Sequence, residues 1–192
     1  MAYLSTNGLP YIEEDEATGE VADMYEQWKR DFQVPYVPNF LKAMASSPEM
    51  LAFSHTYWMA AFTNFTLPQS LISMIQYTIA TRNNCLYCSA NHEVSCRTLG
   101  VDEETLDKLI HDLDNLHPER IRAIIDFAWK ASQHAQGLTR KDFDKLREQG
   151  VTDSEIVEII VIAAMGNLND TIADALKIDV DNVIAQALEE MK

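Results

Sequence analysis

Apolar residues in this chain return every three or four positions and nowhere in sustained alternation. That period fits one buried face of an α-helix and leaves no room for half-buried strands. Residues 17–32 place Val21, Met24, Tyr25 and Trp28 on one such face. Two prolines stiffen the turn at 34–39, and a short helix is expected over 40–45. Ser46-Ser47-Pro48 reads as a cap with Pro in the first turn of a helix reaching residue 63, with Leu51, His55, Trp58, Met59 and Phe62 as its stripe. Residues 69–82 are apolar on most sides, the pattern of a buried helix. Further helices are expected over 102–113, 117–135 and 139–149, the last two stopped by Gly137 and Gly150. Thr152 to Glu155 has the spacing of a capping box, followed by a helix to about 168 and more helix over 170–192.

The chemistry concentrates in residues 84–100, NCLYCSANHEVSCRTLG, which hold all three cysteines and His92. Cys85 and Cys88 are one turn apart on one helix face, and His92 follows Cys88 by one more turn. Asn84 is a good N-cap and Gly100 a good stop, so the pair is expected in the first turn. There the helix dipole and open backbone N–H groups favour a thiolate. A close dithiol with a histidine in register is a redox arrangement. Cys96 reads as a buried core cysteine, and His55 as a packed one of the five histidines.

Other chemistries fit these residues less well. Cys85 and Cys96 are about 16 Å apart along a helix, at ~1.5 Å per residue, too far for one tetrahedral ion. A metal would need ligands from elsewhere in the fold, and none is expected. A c-type haem needs His directly after the second cysteine, where Ser89 stands. A thioredoxin-like motif needs strands. No cofactor is expected.

The chain has 192 residues, 47% of them apolar, enough for one domain with a real core. A single domain over 1–192 is expected, with 1–16 as an extended lead. The longest apolar run, 156–165, is interrupted by Glu158 and reads as a buried helix rather than a membrane span. The first sixteen residues lack a basic segment followed by an apolar one, so the expected location is the cytoplasm. Thirty acidic against fifteen basic residues leave a formal charge of −15, which argues against nucleic acid and anionic membranes as partners. A weak internal repeat sets 67–102 beside 151–181, each read as a capped apolar helix, an Asn-containing break and a second helix.

The order of these features resembles one family. Val37-Pro38-Asn39, Ser47-Pro48, the Leu67-Pro68 helix start, CLYCSANHEVSCRTLG and TDSEIVEIIVIAAMGNLNDTIADAL are similar to the alkylhydroperoxidase D and carboxymuconolactone decarboxylase superfamily, in its peroxidase-related branch. The resemblance runs from about residue 17 onward and is most specific in C-x-Y-C-x-x-x-H. It implies an all-α fold, trimers or hexamers, and a cysteine pair that reduces hydroperoxides and closes to a disulfide re-reduced by an external dithiol. It implies Cys88 as the attacking sulfur, Cys85 as the resolving one and His92 as a proton relay. Tyr87 matches a position that the family fills with His or Tyr. The family's relay glutamate, on the preceding helix, is Ser73 here. No Asp or Glu occurs from residue 51 to 91, and Gln69 and Gln76 cannot take up a proton at neutral pH. The expected function is a thiol-dependent peroxidase in which either His92 works alone, through Ser73 and water, or a carboxylate arrives from elsewhere in the fold or a neighbouring subunit; the alternative is a weakened structural or redox-sensing oligomer. Lactone decarboxylation shares the fold but not the cysteine pair.

Overall fold

The computed structural model describes residues 9–191. Residues 1–8 of the expected lead, and residue 192 of the last expected helix, lie outside them. Among the described residues there are ten α-helices, two 3₁₀ turns and no strand. The all-α expectation holds. The helices form two compact groups, one of residues 9–65 with 173–181, the other of 66–172 with 182–191.

The first group contains α1 (Glu20–Phe32), α2 (Asn39–Met44) and α3 (Pro48–Thr63). Helix α3 packs on α1 and α2, and Tyr25, Leu41, Leu51 and Ala61 are buried there. The described part of the lead is tied down rather than spread over the surface. Tyr11 is buried and accepts the Asp179 N–H at 3.2 Å, and Ile12 accepts the Tyr25 hydroxyl at 2.8 Å. His55 packs edge-on against Trp28 and Phe32 and lies 2.9 Å from Asp31, the packed histidine its stripe suggests.

The second group holds α4 (Gln69–Arg82), α5 (Leu86–Thr98), α6 (Glu103–His111), α7 (Glu119–His134), α8 (Arg140–Glu148), most of α9 (Asp153–Leu176), and α10 (Asn182–Glu190). Helix α4 is its centre, packed on α5, α6 and α7, with Ile75 and Ile79 fully enclosed. Glu158, the charge inside the apolar run, has a clear task. Its carboxylate accepts the N–H groups of Thr66 and Leu67 at 2.9 and 3.1 Å, just before α4 begins. The capping box at the start of α9 forms both ways, Thr152 N–H to Glu155 at 2.7 Å and Glu155 N–H to Thr152 at 3.2 Å.

Helix α9 differs from the sequence reading. A break was expected near Gly166 to Asn169, yet the helix runs unbroken through them. Gly166 serves packing instead of a turn: a Cβ there would lie 3.1 Å from the Gln76 amide oxygen and 3.1 Å from an Ile79 methyl of α4. Asn167 spends its amide on the Ser132 carbonyl at 2.6 Å, outside its own helix. By length and composition α9 is long and apolar enough to cross a membrane, but half of that stretch is buried within the protein.

Candidate functional site

Where α4 ends and α5 begins, the chain makes a tight link. Asn83 caps α4, and Asn84 sits at φ 61°. The Asn84 N–H donates to Thr81 at 3.1 Å and the Cys85 N–H to Ala80 at 2.9 Å. These two bonds form a Schellman motif, with asparagine filling the left-handed position usually given to glycine. Asn84 is therefore the stop of α4 and not the N-cap of α5. Cys85 is the N-cap itself, and its sulfur accepts the Cys88 backbone N–H at 3.5 Å. The other end follows expectation: Gly100, at φ 83°, closes α5 with a second Schellman pair, to Arg97 and Cys96.

The tight link buries both thiols. Cys85 is 0% and Cys88 4% exposed, and both are reduced. A third group meets them that no local sequence pattern places there. Asp170 of α9, 4% exposed, brings a carboxylate oxygen within 4.8 Å of both sulfurs, which lie within the same distance of each other. Its Oδ2 accepts the Asn83 side-chain N–H at 2.8 Å. The Asn83 amide also reaches Asn167 at 3.1 Å, and its oxygen accepts from Gln133 of α7 at 3.0 Å. Asn83 thus ties α4, α7 and α9 together beside the dithiol. Arg82, one residue earlier, stacks over Trp129 at 5.2 Å and donates to the Leu109 carbonyl at 3.1 Å, fixing the end of α4.

The first-turn position does not lower the Cys88 thiol. Its contact with Cys85, its burial and the Asp170 carboxylate all push its pKa up, so it stays protonated at neutral pH. The helix dipole is outweighed because the Cys85 contact, the loss of water and the Asp170 carboxylate act on the same sulfur. His92, half-buried on α5, is desolvated, and its pKa falls to about 4. Its ring is neutral at pH 7, ready to accept a proton and unable to hold a thiolate by charge. Cys96 is fully buried on α5, and desolvation followed by Glu93 pushes it up to about 12. It lies apart from the pair.

Tyr87 is buried beside the cysteines in sequence, and Ser73 is 9% exposed on α4. Gln76 is fully buried and donates to the Ile162 carbonyl at 3.1 Å, a packing bond between α4 and α9. Among the described residues, Cys85, Cys88 and Asp170 are the one group of three His, Cys, Asp or Glu side chains drawn this closely together. Neither His92 nor Cys96 belongs to it. Three donors fall short of the four that close a structural zinc site. The group is a buried dithiol with a carboxylate against it.

Residues 48–114 match the family model of the carboxymuconolactone decarboxylase family. The fold extends the likeness over almost the whole chain. The alkylhydroperoxidase AhpD core of a peroxidase-related protein from Ralstonia eutropha superposes with a TM-score of 0.81 at 22% identity, covering 96% of each chain. A peroxidase-related protein from Silicibacter sp. superposes with the same score at 24% identity, covering 94% of each. The debrominase Bmp8, solved with 2,3,4-tribromopyrrole, superposes at 0.78 with 16% identity over 98% of this chain and 100% of its own. No curated protein sequence matches the chain. The family match over residues 48–114 agrees with the resemblance read from the sequence, and the chain shares the fold of these alkylhydroperoxidase D-like structures.

Proposed function

We propose that the protein is a thiol-dependent peroxidase that reduces hydroperoxides through Cys85 and Cys88. The observation that carries this is the reduced pair at the start of α5, its sulfurs within 4.8 Å of each other. The i, i+3 spacing at a helix start holds them near the separation that a disulfide requires. Cys88, losing its proton as it reacts, attacks one peroxide oxygen. The O–O bond breaks, Cys88 becomes a sulfenic acid, and an alkoxide leaves. Cys85 then attacks the Cys88 sulfur, a disulfide forms and water departs. An external dithiol restores the pair, itself becoming a disulfide. His92, neutral one turn further along, has the place that the resemblance gives to a proton relay.

Thiol counting tests the reading. One equivalent of hydroperoxide should consume two of the three thiols and leave a Cys85–Cys88 disulfide by mass mapping, with Cys96 untouched. Cys88→Ser should abolish that disulfide and turnover. The burial of both sulfurs favours a second reading, a structural or redox-sensing protein. Three unreactive thiols would establish it over the peroxidase.

A further inference from the structure

We propose that Asp170 is the proton acceptor of the dithiol: its carboxylate takes the Cys88 proton as that sulfur attacks, and returns it to the departing oxygen. This rests on the dithiol reading above and adds a catalytic residue from a helix that contributes no cysteine or histidine.

The argument begins from cost. An aspartate 4% exposed is expensive to bury and persists only with a partner or a task. Asn83 meets part of that cost, with its amide on Oδ2 at 2.8 Å. The same amide group is itself held by Gln133 at 3.0 Å, so the carboxylate is aimed and not merely solvated. It is aimed at sulfur. An oxygen of Asp170 lies within 4.8 Å of both Sγ atoms. A carboxylate set against two thiols works against either becoming a thiolate, and Cys88 is accordingly held protonated. Such a placement hinders a cysteine that must rest as a thiolate. It suits one that sheds its proton only as it reacts, because the acceptor already stands within 4.8 Å. The sequence supplies no other carboxylate from residue 51 to 91, and His92 stands outside the cluster.

The step balances. The Cys88 S–H proton passes to Asp170 as sulfur bonds to one peroxide oxygen. The O–O electron pair leaves with the other oxygen as alkoxide, which takes the proton from Asp170 and departs as alcohol. Cys88 is oxidised to sulfenic acid, the peroxide is reduced, and Asp170 ends as it began. With a small disulfide as oxidant the same proton transfer applies, and the leaving group is a thiolate.

The test compares native protein with Asp170→Asn, which keeps an acceptor oxygen for Asn83 but no basic group. Each is oxidised under pseudo-first-order conditions by tert-butyl hydroperoxide and, separately, by bis(2-hydroxyethyl) disulfide, with the Cys85–Cys88 disulfide followed by mass. Burial and the Cys85 contact persist in the variant, so its Cys88 stays protonated with no acceptor beside it. Both oxidations should slow about 100-fold, the usual worth of a positioned base. Asp170→Glu should recover part of the rate. Equal rates in native and Asp170→Asn protein would overturn the proposal, as would a lowered Tm with unchanged rate, the mark of a merely structural aspartate. If the native protein reacts with the disulfide but not with hydroperoxide, the peroxidase reading falls and the disulfide rates alone decide for or against Asp170. A native dithiol inert to both oxidants overturns both. Should Asp170→Asn not fold, Asn83→Ser decides: loss of the aiming amide should slow oxidation about tenfold, and an unchanged rate would overturn the proposal.

Discussion

Single residues at this site are governed by desolvation more than by their place on the helix. His92 illustrates it. Its folded pKa of about 4 lies below the value near 6.5 of an unfolded histidine, so the unfolded chain binds the extra proton. The associated stability is fully present above the unfolded value and is lost as pH falls from there toward 4. About 2 kcal/mol should disappear between pH 7 and 5 in urea unfolding, a slope that His92→Gln should lack. Ser73 is the second case. It stands where the family has glutamate, yet it is 9% exposed and a carboxylate already reaches the sulfurs from Asp170. Ser73→Glu should therefore give no faster peroxide reduction, and should cost roughly 1–3 kcal/mol in unfolding free energy for an added buried charge. A large gain in rate would mean that Asp170 does not replace the family's glutamate. The cysteine pair is legible in sequence because spacing alone puts both sulfurs at one helix start, with His92 on the same helix but outside the cluster. Asp170 is not: eighty-two residues separate it from Cys88, and it belongs to a stretch with no cysteine or histidine.

At the scale of elements, two backbone positions set the site's geometry. Asn84 holds φ 61° between α4 and α5, a conformation that costs a β-branched residue about 1–2 kcal/mol. Asn84→Val should lower the unfolding free energy by that amount, seen as a lower urea midpoint, while Asn84→Gly should be close to neutral. A midpoint for Asn84→Val equal to wild type would mean that the link is not held as described. Gly166 is the other position. The 3.1 Å approach of Gln76 and Ile79 leaves no space for a branched side chain, so Gly166→Val should cost about 1–3 kcal/mol by overpacking and push α9, with Asp170, away from α4. Slower thiol oxidation should accompany the lost stability. From sequence, Asn84 reads as a cap and the Asn-containing stretch after Gly166 as a break, since these residues favour either use. What decides between them is whether a neighbouring helix presses close, and one strand of sequence does not contain that information.

For the whole molecule, charge is the dominant bulk property. A formal −15 over 192 residues opposes compactness by self-repulsion. Raising salt from about 10 to 200 mM screens it, so Tm should rise; isolated surface ion pairs, worth ~0–1 kcal/mol each, are too weak to reverse the sign. A falling Tm would show that ion pairs prevail instead. Self-association is tested by light scattering against the 21.8 kDa chain mass. Val157, Ile160 and Val161 lie exposed on α9, and Val161→Glu should reduce the mass of any assembly formed through that face.

The sequence alone determined the helical class, most helix limits, the capping box at Thr152 and the place of Cys85 and Cys88 at the start of one helix. These depend on short-range periodicity, caps and spacing, which are written within a few turns of chain. The tertiary structure decided that the pair is buried, that Cys88 is held protonated, that α9 runs straight through its Gly-Asn segment, and that a carboxylate meets the sulfurs from Asp170. Those outcomes depend on which distant helices pack together and how much water they exclude, and desolvation energies are properties of that packing, not of local sequence.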